Sequence, residues 1–162
     1  GAQTTLLRQQ ITAMKNQDIF VMTIPKAPYR CPPGPYERAC VIADHLKSTG
    51  RSACQVIVLD ENPVIQAERH TFETAFSGLH AAVIRYVPGV TGIAIDPLGK
   101  TVSYVDMVGT QQVVKRMKIA ASGGQTVING LPAGATEAAS VNQDNFEDMG
   151  TWFSTLMKDT SA

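Results

Sequence analysis

The sequence lacks net charge, a glycine-rich phosphate cradle and any long apolar run, and each absence removes a class of function. Fourteen basic residues balance fourteen acidic ones over 162 positions. No Lys/Arg cluster is interleaved with aromatics, so the electrostatic footprint of a nucleic-acid binder is missing. The densest positive patch, Lys115-Arg116-Lys118, reads as a solvated strand end or turn, the other reading being a docking patch for an acidic partner. No hydrophobic stretch approaches the roughly 18 residues of a membrane span. Cys31, Cys40 and Cys54 are the only cysteines. They lack the C-x-x-C spacing of zinc and thioredoxin-like sites, and their odd number leaves at least one thiol unpaired within the chain. There is no C-x-x-C-H for haem attachment. His45, His70 and His80 are too dispersed for a metal set, so no metal is expected. No Ser-His-Asp arrangement or pair of catalytic carboxylates is legible.

What is present is a proline-rich loop at a place where α/β proteins put chemistry. Asp18 to Ile24 is an almost unbroken apolar run of the kind buried on both faces of a parallel sheet, and Pro25 ends it. Pro35 then opens a helix carrying Tyr36, Ala39, Cys40, Ala43 and Leu46 on one face, and Gly50 ends it. Gln55 to Asp60 is the next strand, which makes a βαβ unit with an expected right-handed crossover. In a nucleotide-binding unit of this kind the loop between first strand and first helix is G-x-G-x-x-G. Here it is Cys31-Pro32-Pro33-Gly34-Pro35. Proline offers no N–H to a phosphate and its ring crowds close approach, so the loop has the position of a dinucleotide site and the wrong composition. It presents a thiol near a helix N-terminus instead.

The remaining pattern extends the same architecture. A leading helix is expected over residues 3 to 14, from Leu6, Leu7, Gln10, Ile11 and Met14. Phe72, Phe76 and Leu79 mark a helix within 64–81, and Val83 to Val87 a third strand ended by Pro88-Gly89. Val90 to Ile95, Thr101 to Val105 and Gln111 to Val114 read as an antiparallel meander, with Thr126 to Leu131 as a closing strand. The expected fold is therefore α/β, a three-layer Rossmann-like parallel sheet (βαβαβ) with an antiparallel β-meander. One domain spans 1–162: a leading helix in 1–17, the core in 18–132, then a connection and terminal helix in 133–162 that holds Phe146, Met149, Trp152, Phe153, Leu156 and Met157. The length fits one domain, and a domain excised from a longer protein is expected.

The stretch from Pro25 to Ala39, with Gln3 to Gln10 upstream, resembles the flavoprotein subunit of flavocytochrome c sulfide dehydrogenases, relatives of sulfide:quinone oxidoreductases and of glutathione-reductase-like flavoproteins. The likeness fades after about Asp60, and Val127 to Pro132 matches the family's later strand only weakly. The resemblance implies the nicotinamide-domain-like region of an oxidoreductase that carries FAD in the parent protein, oxidises sulfide, passes electrons to a c-type cytochrome subunit and works in the periplasm. It makes Cys31 one of two redox-active cysteines beside the flavin, the other lying in a later part of the full-length chain. Hydrosulfide would attack that disulfide to give a persulfide on one cysteine, and two electrons would pass to flavin and then singly to haem. No cofactor is expected on the isolated chain.

Residue chemistry gives the same emphasis and leaves alternatives. Cys31 beside a helix N-terminus and Arg30 is placed to favour its thiolate, whereas a lone cysteine is otherwise a small buried hydrophobe. Cys40 and Cys54 read as structural. Pro32, Pro33, Gly34 and Pro35 hold the thiol rigidly or make a plain stiff loop. Glu37 suits the helix dipole, Arg38 pairs with it or with another domain, and Asp60 occupies the position of a ribose-binding acid. Two functions stay open: a sulfide dehydrogenase module, inactive alone, or a non-catalytic Rossmann-like docking domain that has lost its cofactor.

Overall fold

The computed structural model describes residues 2–115 and 117–122. The elements are α1 (Ala2–Thr12), β1 (Ile19–Ile24), α2 (Gly34–Ser48), β2 (Gln55–Asp60), α3 (Arg69–Thr74) running into a π-helical turn (Ala75–Leu79), β3 (Ile84–Val87), β4 (Thr91–Asp96), β5 (Thr101–Val105), β6 (Gln111–Lys115) and β7 (Met117–Ser122). Strands β3, β2, β1 and β7 form, in that order, a four-stranded sheet whose pairs are all parallel. Strands β4, β5 and β6 form a second, antiparallel sheet.

Strand alternation explains how the layers stack. Side chains two residues apart share a face, and Phe20, Met22 and Ile24 of β1 with Val56 and Val58 of β2 join the helical residues Ile11, Tyr36, Ile42 and Leu46 in one core. The intervening Val21, Ile57 and Leu59 point the other way, into a second core with Val90, just before β4, and Val102, Tyr104 and Val114 of the antiparallel sheet. The parallel sheet is thus the middle layer. That is why β1 and β2 read as continuous apolar runs, for both of their faces are covered.

Helix α2 has the ends its sequence calls for. Pro35 sits in its first turn, Glu37 near its positive end, and His45 and Lys47 in the last turn. Gly50, at φ +74, reverses the chain while its N–H donates to Lys47 O and that of Arg51 to Leu46 O, a Schellman closure. The stretch expected as helix over 64–81 is shorter, beginning at Arg69. The Ser77 hydroxyl donates to the Glu73 carbonyl at 2.7 Å, and the next turn is π-helical, with His80 N–H reaching back to Ala75 O.

Strand β7 was not expected. Met117 to Ser122 adds a parallel strand to the outer edge of β1, immediately after the meander. The patch expected to be a solvated strand end or turn begins at a strand end: Lys115, exposed, closes β6, and Lys118 lies in β7. The expected closing strand at 126–131, the connection from 133 and the terminal helix lie outside the described residues.

The order β3-β2-β1-β7 means that the chain leaves β1 towards one side of the sheet and returns on the other. In open α/β sheets the carboxyl ends of strands flanking such a reversal border the ligand crevice. The loop that leaves β1 is the one that carries Cys31.

Candidate functional site

Pro25 stops β1, and residues 25–33 bridge to α2. Asn62, just past the end of β2, grips the start of this loop: its Oδ1 accepts the Ala27 N–H at 2.8 Å and its Nδ2 donates to Pro25 O at 2.9 Å. At the far end the Gly34 N–H donates to Cys31 O at 3.0 Å, closing a turn over Pro32 and Pro33. Pro33 itself caps the helix without a side-chain bond.

Cys31 stands at φ +56, a left-handed conformation that a residue with a Cβ seldom adopts. The residue is half-buried and bonded to no other cysteine. Its sulfur lies against Gly34: a Cβ built on that glycine would stand 3.2 Å from Cys31 Sγ and 3.6 Å from Arg38 Nη2. The sulfur and a guanidinium therefore flank the same bare backbone, and the two interact electrostatically. Burial holds the Arg38 pKa below its ordinary value, while Cys31 and then Glu37 oppose that shift. Arg30, expected to help, is exposed.

Behind this loop lies a polar knot within the apolar layer. The Asp60 carboxylate is fully buried. Its Oδ2 accepts from Tyr36 OH at 2.8 Å and Tyr86 OH at 2.9 Å, and its Oδ1 from the Asn62 N–H at 2.8 Å and Asn62 Nδ2 at 2.7 Å. Burial, above all, pushes the Tyr36 and Tyr86 hydroxyls far above the usual tyrosine range, and the neighbouring Asp60 pushes the same way. Tyr36 also accepts the Gln66 N–H at 3.1 Å, and Tyr29 OH lies 3.4 Å from it and 3.3 Å from Pro32 O. Rings of Phe72, Phe76 and Tyr86 pack around Tyr36 at centroid distances of 5.4 to 6.5 Å.

A carboxylate has about four lone-pair sites, and all four bonds on Asp60 come from the protein. Asp60 occupies the position of a ribose-binding acid but has its acceptor sites taken by its own chain. The loop fits a pyrophosphate no better: Pro32, Pro33 and Pro35 have no N–H to donate, and the space beside Gly34, its one glycine, is taken by the Cys31 sulfur. The residues of this crevice do not fit a dinucleotide, and no chemical step passes through one.

The other cysteines divide from Cys31 by environment. Cys54 is buried and donates its S–H to Lys15 O at 3.0 Å. Cys40 packs against the helical core, and burial, with Glu37 adding to it, pushes its thiol up to about 11. Such a thiol carries little thiolate at neutral pH. His70 is exposed, and His80 is buried with its pKa lowered chiefly by burial. Among the described residues no group of three His, Cys, Asp or Glu side chains could hold a metal ion, and no helix is long and apolar enough to cross a membrane.

Asn62 was missed from sequence, where Asn62-Pro63 looks like an ordinary turn. The signal that could have found it is its spacing from Asp60: two residues apart at a strand end, the pair projects to one side.

Taken together, the molecule is an α/β protein with a parallel sheet backed by an antiparallel one and a cysteine-bearing proline loop at the sheet's carboxyl edge. A family model described as sulfide dehydrogenase (flavocytochrome c) flavoprotein chain, central, matches residues 4–130. The chain belongs to that family, whose description makes the parent a flavoprotein. The match runs far beyond Asp60, where the resemblance in the residues fades, and takes in the whole meander and β7.

Proposed function

We propose that this chain is the central module of an FAD-dependent sulfide dehydrogenase, with Cys31 as one of its two redox cysteines. It is the nicotinamide-domain-like, Rossmann-type region of a glutathione-reductase-like flavoprotein, its nucleotide crevice filled by its own side chains. FAD is gripped by other parts of the parent, and a c-type cytochrome takes the electrons in the periplasm. The isolated chain is inactive and binds neither FAD nor NAD(H) at micromolar concentration, which calorimetric titration checks.

One observation carries the reading. Cys31 is a half-buried thiol at the carboxyl edge of the sheet, held in a left-handed conformation between Gly34 and the Arg38 guanidinium, whereas Cys40, also half-buried, packs on the helical core and Cys54 is buried. A partner cysteine from elsewhere in the parent completes a disulfide with it. Hydrosulfide attacks one sulfur of that disulfide; the S–S bond breaks, a new S–S bond forms as a persulfide, and the electron pair remains on the other cysteine as thiolate. Arg38 is placed to stabilise negative charge on Cys31 during that exchange. When bound, the flavin supplies a two-electron acceptor beside the sulfur.

The test is Cys31→Ser in the full-length flavoprotein. The flavin should remain bound, and its bleaching by sulfide should fall by a factor of about 1,000 or more, as expected for loss of a covalent nucleophile. A variant that reduces its flavin within about tenfold of the unaltered rate refutes the assignment, as does a loss matched by Cys40→Ser.

A further inference from the structure

Asn62 is 3% exposed, and the exchange chemistry above gives it no part. Yet every polar atom it has is used, and between three separate segments. Its side-chain oxygen takes the Ala27 N–H, its amide nitrogen donates to Pro25 O and Asp60 Oδ1, its backbone N–H donates to the same Asp60 oxygen, and its carbonyl accepts the Gly89 N–H at 2.9 Å. The amide cannot be turned over: Ala27 presents a donor and Pro25 an acceptor, so oxygen and nitrogen have one assignment. Asp60 is braced in turn by the Tyr36 and Tyr86 hydroxyls.

The consequence falls on Cys31. Asn62 holds residues 25 and 27, and the turn bond from Gly34 N–H holds residue 31. Only Pro28, Tyr29 and Arg30 lie between, and Tyr29 is held in place through Pro32 O and Tyr36 OH. A cysteine at φ +56 is held in a strained conformation that persists only where its surroundings over-determine it. Free that loop at its root and the strain is released.

We propose that Asn62, braced by Asp60, is the positioning residue for Cys31: by gripping Pro25 and Ala27 it keeps the loop wound so that the sulfur stays against Gly34 and Arg38. This rests on the reading of Cys31 as the redox thiol. It makes the acid that a dinucleotide fold uses for ribose into a brace for a nucleophile.

The experiment uses the full-length flavoprotein after reduction and reads the second-order rate of Cys31 alkylation by iodoacetamide, by peptide mass spectrometry, as a function of pH. Asn62→Ala should displace the profile and change the rate at neutral pH by about threefold or more, the scale of one lost hydrogen bond. Asp60→Asn should superimpose on the unaltered protein, because it keeps an oxygen for Asn62 and turns an amide to the two tyrosine hydroxyls, which rotate to accept. An Asn62→Ala profile that coincides with the unaltered one, even with a lowered melting temperature, overturns the proposal, since a merely structural role predicts that result. Displacement by Asp60→Asn as large as by Asn62→Ala also overturns it, by assigning the effect to charge. Should Asn62→Ala fail to fold, amide exchange in the unaltered protein decides. The Ala27 N–H, though on an exposed residue, should exchange about tenfold or more slowly than an open loop amide, and exchange at the open rate refutes the clasp. Alkylation reads the sulfur without turnover, so an active Cys31→Ser variant sinks the redox assignment and leaves this result to stand or fall separately.

Discussion

Tyr36→Phe removes one oxygen from the buried polar cluster around Asp60 and leaves the ring, with its packing on Phe72, Phe76 and Tyr86, in place. The lost hydroxyl donates to the buried Asp60 carboxylate at 2.8 Å and accepts the Gln66 N–H at 3.1 Å. A hydrogen bond to a charged group contributes about 1.5 to 3 kcal/mol, and an amide deprived of its acceptor costs about 1 kcal/mol more. The expected loss is therefore about 2 to 4 kcal/mol. At about 2 to 4 °C per kcal/mol for a chain of this size, melting should fall by roughly 5 to 15 °C. Tyr86→Phe makes the internal comparison: it removes only the 2.9 Å bond to the same oxygen from a half-buried ring, so it should cost less. The double variant leaves Asp60 Oδ2 with neither of its donors and should cost more than the two single losses added. Urea unfolding followed by far-ultraviolet circular dichroism measures all three. A Tyr36→Phe loss below about 0.5 kcal/mol, or a Tyr86→Phe loss that exceeds it, would show that Asp60 does not depend on these hydroxyls as argued.

Gly34→Ala places a methyl 3.2 Å from Cys31 Sγ without backbone strain. The gain from replacing glycine, about 0.4 to 1 kcal/mol, opposes the crowding, so stability should change by less than about 1 kcal/mol while Cys31 alkylation slows as the sulfur is moved from Arg38; unchanged alkylation would contradict the packing. The Cys40 thiol, pushed up to about 11, is about one part in a thousand thiolate at pH 8, so Cys31 should be labelled well before it under native conditions, and equal labelling argues against the difference in environment. His80, whose pKa is lowered by burial and by Lys47 against the opposing Asp44, takes up its proton at lower pH in the folded chain than in the unfolded one, where it protonates near 6.5. Below that pH the unfolded state binds more protons, so stability falls with acidification. His80→Gln should flatten that decline between about pH 7 and 5, and an unflattened curve would show that another group causes it.

The middle of this fold was legible because local and global demands coincide there. Gln55 to Asp60 is a strand in sequence and in structure with the same limits, since an apolar run covered on both faces leaves little freedom. The meander was legible for the opposite reason, from turn residues such as Asp96-Pro97-Leu98-Gly99 between β-branched stretches. Strand β7 was not. Lys118, Ala120, Ala121 and Ser122 have weak strand preference, and what makes them a strand is the edge of β1, whose backbone groups they pair with. That is a tertiary cause, and no window of local sequence contains it. Within 64–81 the helix begins only at Arg69, and the apolar spacing that continues to Leu79 is carried by a π-helical turn in which the Ser77 hydroxyl takes up the Glu73 carbonyl.

The site divides in the same way. Cys31 stood out because a thiol among prolines at a first-strand loop is chemically conspicuous, and Tyr36 was placed on the inward face of α2, where it is found. Its connection to Asp60 was hidden, for it joins residues 24 apart in sequence, and Tyr86 reaches the same oxygen from a third element. Asp60 shows why a fold-level analogy misleads at such a point. An acid at the end of a second parallel strand has a ready nucleotide role, but that role needs free lone pairs, and here Tyr36, Tyr86 and Asn62 occupy them all. Sequence position locates a carboxylate, whereas only the census of its donors says whether it faces a ligand or its own chain. The prolines and the saturated acid then have one account: a crevice closed to phosphate and ribose is a rigid mount for the loop that leaves it, and that loop presents a single half-buried sulfur.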